Sequence, residues 1–242
     1  MNTEDNHPSA DDLREMLREE LITENGAVAP WEGFHIDQIE RLRFYLETLE
    51  AFISEQEAGE VKSLERHAAA WSEKRRSEFW THHYPVHWDE IFRTTLRSSF
   101  LVSLISFTED YLAQASRNVE VIAPMPFESF ALRGNVFDKA RLIFDAIGHF
   151  SQPVPAAWQI LERIYAVRNV LVHRAGFIDT YSYQERVRQF IQQQRGLSEE
   201  YGHISLGPEF CPFALEHVKV VLMAVGSELA ALCERVRRVE GA

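Results

Sequence analysis

From Val154 to Ala175 apolar residues cover most of a helical circumference. Ile160, Ile164, Val167 and Leu171 fall at i, i+4, i+7 and i+11, the spacing of one buried stripe. Leu161, Tyr165 and Val172 form a second stripe beside it, with Val170 on the far side. A helix of this kind has to be covered on more than one face. It is therefore expected as the central helix of a bundle or at a subunit interface. Pro155 suits its first turn, and Gly176 suits the left-handed residue just past its end.

The remaining chain reads as what covers this helix. Ser9 and Asp12 look like a capping box that opens a short helix, with Leu13, Met16, Leu17 and Leu21 inward and Asn25-Gly26 as its stop. Residues 1–9 read as disordered and Ala27–Glu32 as a linker. A second helix is expected from about His35 to Gln56, with Ile39, Leu42, Leu46, Leu49 and Ile53 as its stripe and Tyr45 and Phe52 beside it. Gly59 is expected to interrupt it before a further amphipathic stretch to about Trp80, the two forming either one interrupted long helix or a hairpin. The next helix spans about Trp88 to Ala115, with Phe100, Leu104, Phe107 and Tyr111 as one stripe. Ser99, Ser103, Ser106 and Asp110 form a small polar stripe suited to close approach by another helix.

A loop over 119–134 contains Pro124 and Pro126. The helix after it turns Val136, Ala140, Ile143 and Ile147 inward, and Gly148 and Ser151-Gln152-Pro153 lead into the apolar helix. Tyr183 to Gln194 is expected as a short helix, and Gly196–Pro212 as a loop with an extended stretch at His203–Leu206. The last helix is expected over Phe213–Val239 and ends on Arg235, Arg237 and Arg238, which suit its dipole. The fold class is therefore all-α, a bundle of about six or seven helices. A tail and short helix occupy residues 1–30, and the main domain occupies residues 31–242.

Composition narrows the function classes. The 242 residues carry a formal net charge of −12 and no long basic run, which argues against a broad RNA-coating surface. A small basic cleft remains compatible, as does a basic protein partner. No apolar run approaches a membrane span and the acidic start is no secretory signal. Cys211 and Cys233 match no zinc spacing, so the setting reads as cytoplasmic and reducing. His82, His83 and His87 cluster, but Pro85 breaks their helix and no carboxylate completes a metal set. They read as a loop with packed aromatics. No metal and no cofactor is expected.

Towards its end the apolar helix carries Arg168, Asn169 and His173. Imidazole transfers protons near neutral pH, guanidinium stabilises a developing pentacovalent phosphate, and Asn holds a hydroxyl or phosphate oxygen. Such a set can cut RNA without a metal by activating a 2′-hydroxyl against the adjacent phosphate. Arg168 and His173 diverge by roughly 140° at about 100° per residue. A two-fold copy would bridge that gap by presenting both residues to one cleft. Glu109, in line with Val102, Ile105 and Leu112, is a carboxylate on an apolar stripe that needs a partner if buried. It is a candidate to orient Arg168 or His173. The structural alternative is that His173 and Arg174 only complement the helix dipole and Glu109 reaches solvent at the stripe edge.

Arginine, a polar residue after it, four residues before His173 and a terminal glycine resemble the Arg-x4-6-His motif of HEPN domains. The resemblance implies a HEPN-like helical bundle and a homodimeric, metal-independent endoribonuclease in toxin, stress or phage-defence settings. It implies an RNA substrate such as a tRNA, and an antitoxin protein as a further partner. Some HEPN toxins carry a tyrosine two residues after the histidine, where a partner nucleotidyltransferase modifies it. Ala175 stands there in this chain. Members without nuclease activity give the alternative expectation, a non-catalytic interaction module that binds a protein or nucleotide.

Overall fold

The computed structural model describes residues 9–22, 28–83, 86–123, 132–147 and 154–240. Eight α-helices lie among them: α1 (Ala10–Ile22), α2 (Val28–Ala68), α3 (Glu73–His83), α4 (Thr94–Ile122), α5 (Val136–Ile147), α6 (Val154–Arg174), α7 (Gln184–Gln193) and α8 (Phe210–Glu240). A π-helical turn at Trp88–Arg93 precedes α4, and a small hairpin, β1 (Leu197–Glu200) and β2 (His203–Leu206), precedes α8. The protein is thus mostly helical, as the spacing of its apolar residues predicts. The expected stop at Asn25-Gly26, the prolines at 124 and 126, Gly148 and the turn at 151–153 lie outside the described residues.

The chain divides into two compact units. The first takes the described residues up to Ile39, Ile105–Ile164 and those from Leu215 onward; the second takes Glu40–Leu104 and Tyr165–Ala214. In the first, Leu112, Phe137, Phe144, Leu161, Val225 and Leu229 are fully enclosed. The buried Tyr111 hydroxyl donates to the Leu222 carbonyl at 2.9 Å, so its polar tip is satisfied. Arg235 donates to the last carbonyl of α5, Ile147, at 3.0 Å, and Arg237 donates to the last carbonyl of α1, Ile22. These arginines of α8 cap the carbonyl ends of two other helices.

The second unit is pinned by a ladder of charges. Glu50, Glu57 and Glu60 on α2 meet Arg97, Arg93 and Trp88 respectively, at 2.6, 2.6 and 2.7 Å. Arg97 is buried, holds Glu50 through both Nε and Nη2, and donates from Nη1 to the Leu206 carbonyl at 3.0 Å. One guanidinium therefore ties α2, α4 and the hairpin together.

Several expectations are corrected. Gly59 does not interrupt α2, which runs from Val28 to Ala68 and also takes in residues 28–32 of the expected linker. A single glycine costs a helix about 1 kcal/mol, too little to break 41 residues flanked by good helix formers. The break falls later, where Trp71 N–H bonds the Ala68 carbonyl and Ser72 caps α3. The helix expected to end near Ala115 continues to Ile122, and α8 begins at Phe210 rather than Phe213. Pro212 is tolerated there because the first-turn amides of a helix need no internal partner. Leu13, Met16 and Leu17 are exposed rather than inward, although the Ser9–Asp12 capping box forms as expected. The Ser99, Ser103, Ser106 and Asp110 stripe faces solvent, and no helix closes on it among the described residues. Tyr45 and Phe52 are also exposed.

Candidate functional site

Residues Leu161, Ile164, Val167 and Val170 of α6 are wholly enclosed, while Val172 is exposed. The buried line steps by three residues and so winds around the helix, which reverses the expected places of Val170 and Val172. Coverage on more than one face holds. The helix then ends at a double left-handed turn. Ala175 has φ 49° and Gly176 φ 88°, so the first left-handed residue is alanine, one position before the expected glycine. Gly176 N–H donates back to the Val170 carbonyl at 3.1 Å and so satisfies one of the carbonyls at the helix end.

The hairpin locks this end. Its tip, Tyr201 and Gly202, has φ 51° and 77°, the two positive angles of a type I′ turn. Ile204 N–H donates to the Gly176 carbonyl at 3.0 Å and Ile178 N–H to the Gly202 carbonyl at 2.9 Å. His203 Nε2 sits 2.7 Å from the Ala175 carbonyl. A Cβ built on Gly176 would lie 2.3 Å from the His203 ring, so only glycine fits beneath it.

Within this frame Arg168 and Asn169 are joined directly: Arg168 Nη1 donates to Asn169 Oδ1 at 3.0 Å. The Asn169 side chain also reaches the Tyr181 hydroxyl. Burial pushes the Tyr181 phenol up from its ordinary value, the Asn169 bond pulls it down, and nearby Tyr165 and Tyr183 add to the rise. Tyr181 therefore stays a neutral phenol at physiological pH. The Arg168 guanidinium carbon lies 6.0 Å from the Tyr165 ring, and Arg186 lies 5.5 Å over Tyr183. Spacing along the sequence leaves Tyr181 beyond the helix end. The left-handed pair at 175–176 reverses the chain and brings it back.

His173 is exposed on the last turn, and among the described residues no hydrogen bond or ion pair reaches its imidazole. Arg168, Asn169 and His173 all fall in the second unit. Glu109 falls in the first, half-buried on α4.

Two other sequence features resolve differently. His87 Nε2 lies 3.3 Å from Glu60 and its ring packs on Trp88, which stacks on Phe92. The side chains of His82 and His83 lie outside the described residues. Among the described residues no three metal-binding side chains gather. By length and composition α8 is apolar enough to cross a bilayer, but its residues Val218, Val221, Leu222, Val225 and Leu229 are buried within the chain.

Comparison of the chain with family models, with curated proteins and with solved structures returns no match.

Proposed function

We propose that the protein is a HEPN-type, metal-independent endoribonuclease that acts as a homodimer. The observation that carries this reading is the end of α6. An exposed imidazole follows, at motif spacing, an arginine held by its neighbouring asparagine. In the proposed reaction His173 of one copy takes the 2′-hydroxyl proton and the 2′-oxygen attacks the adjacent phosphorus. The bond to the 5′-oxygen breaks, and the imidazolium of the second copy protonates that oxygen. A 2′,3′-cyclic phosphate and a 5′-hydroxyl result. Arg168 balances charge on the phosphorane, and Asn169 and Tyr181 orient Arg168. The setting is toxin activity, stress or phage defence, with a tRNA as one suitable RNA and an antitoxin protein as a further partner.

A second reading is a HEPN-like module that binds a protein or nucleotide without cleaving RNA. It is favoured by the engagement of Arg168 with Asn169 and by the net charge of −12. The deciding experiment is incubation of the purified chain with total RNA and a tRNA pool in EDTA, beside His173→Ala and Arg168→Ala. Cyclic-phosphate products from the wild type alone support the nuclease. Cleavage that persists in either variant overturns the mechanism, and silence from all three favours the module.

A further inference from the structure

Residues Lys62–Arg76 reverse the sign of the chain. Against an overall −12, this stretch carries Lys62, Arg66, Lys74, Arg75 and Arg76 with only Glu65 and Glu73 opposing them. All seven side chains are exposed, and all belong to the second unit. They line the corner where α2 ends and α3 begins.

The placement of three of these cations works against local stability. Lys74, Arg75 and Arg76 occupy the first turn of α3, where the helix dipole favours anions. Lys74 has Glu78 at 3.9 Å, but no ion pair reaches Arg75 or Arg76 among the described residues. Helix formation therefore gives no reason for them. The dipole adds its own positive end at the same point, so the corner suits a polyanion.

Aromatic rings are interleaved with the cations. The Arg75 guanidinium lies 4.4 Å over the Trp71 ring, Trp71 meets Phe79 edge-on at 5.2 Å, and Phe79 meets Trp80 at 5.3 Å. The three rings are half-buried, so each shows part of its surface. Phosphate-neutralising cations beside flat rings match a ligand that alternates negative charge with planar bases. An anionic bilayer would ask instead for fully exposed apolar side chains to insert, whereas Trp71, Phe79 and Trp80 are each partly covered.

We propose that the α2–α3 corner, with Lys74, Arg75, Arg76 and Trp71 at its centre, is the docking surface for single-stranded RNA; the choice of RNA rests on the reading of the α6 site. The test uses the full chain carrying His173→Ala, so that bound RNA is not cut. Binding of a fluorescein-labelled single-stranded RNA is followed by anisotropy across a salt series. Adding Lys74→Gln, Arg75→Gln and Arg76→Gln should weaken binding about tenfold or more near 0.1 M salt. The slope of log affinity against log salt should fall by about 2, at roughly 0.7 per lost contact. Glu73→Gln with Glu78→Gln should tighten it, a gain that a misfolded variant would not give.

Unchanged affinity and slope in the triple variant overturns the proposal. So does failure of the His173→Ala chain to bind RNA at low salt, or preferential binding to phosphatidylserine vesicles. The two readings separate cleanly. RNA binding lost with α3, in a chain that never cleaves, keeps the surface and removes the nuclease. Cleavage with unchanged KM after α3 is neutralised keeps the nuclease and removes the surface.

Discussion

Gly176 has no room for a side chain. Its backbone sits at φ 88° and the His203 ring occupies the space a Cβ would need. Gly176→Ala should therefore cost about 2–4 kcal/mol, from left-handed strain plus overpacking. A urea titration of the variant against wild type checks this, and a loss under 1 kcal/mol would mean that His203 yields freely. Removal of Glu50 makes a second residue-scale test. Glu50→Ala leaves the buried Arg97 charge without its carboxylate and should cost about 3 kcal/mol or more. From the sequence Asn169 reads as a holder of a hydroxyl or phosphate oxygen, whereas its Oδ1 accepts from Arg168 Nη1. The place of Tyr181 was not legible, because the turn that returns it depends on Ala175, a residue type that seldom adopts positive φ.

At the scale of elements, periodicity carried most of the reading. Of the stripe Phe100–Leu104–Phe107–Tyr111 all but the half-buried Phe107 are enclosed, and Val218, Val221, Val225 and Leu229 are buried at helical spacing. Punctuation carried less. Gly59 looked like a stop, yet a Cβ there would meet nothing within 4 Å. Gly59→Ala should raise stability by about 1 kcal/mol, since it restores helix propensity at no steric cost. A higher thermal midpoint for the variant would bear this out, and a lower one would show that α2 needs its glycine. Of the hairpin, the second strand was legible as the extended stretch His203–Leu206; the first was not, because β1 contains Ser198, Glu199 and Glu200, and the turn is Tyr-Gly rather than Asn-Gly. The α1 stripe, by contrast, was legible and misplaced. Spacing shows that Leu13, Met16 and Leu17 share a face, but it does not say whether this chain covers that face.

For the molecule as a whole, the two thiols set a limit at high pH. Both are free and buried. Burial pushes Cys211 up to about 12, from an unfolded value near 9.0, and pushes Cys233 up as well. The neutral thiol is the folded form, so this contribution is intact below pH 9 and is lost as pH rises towards 12. Thermal midpoints at pH 8 and pH 11 should drop less in Cys211→Ala than in wild type. An equal drop would show that Cys211 ionises as freely folded as unfolded. The all-α class was legible at this scale because eight helices among the described residues repeat the same signal. The division into two units was not, because α2, α4, α6 and α8 each run through a unit boundary and leave no linker to read.

The closed end of α6 has a consequence for how that region opens. Helix ends ordinarily fray first, and their amide protons exchange with water quickly. Here the amides of Ile178 and Ile204 are tied to the Gly202 and Gly176 carbonyls, two backbone bonds that join the helix end to the hairpin. Their deuterium uptake should proceed at a common rate, set by lifting the hairpin away rather than by unwinding the last turn. The residue that carries the exposed imidazole is thereby held by a part of the chain that lies well downstream of it.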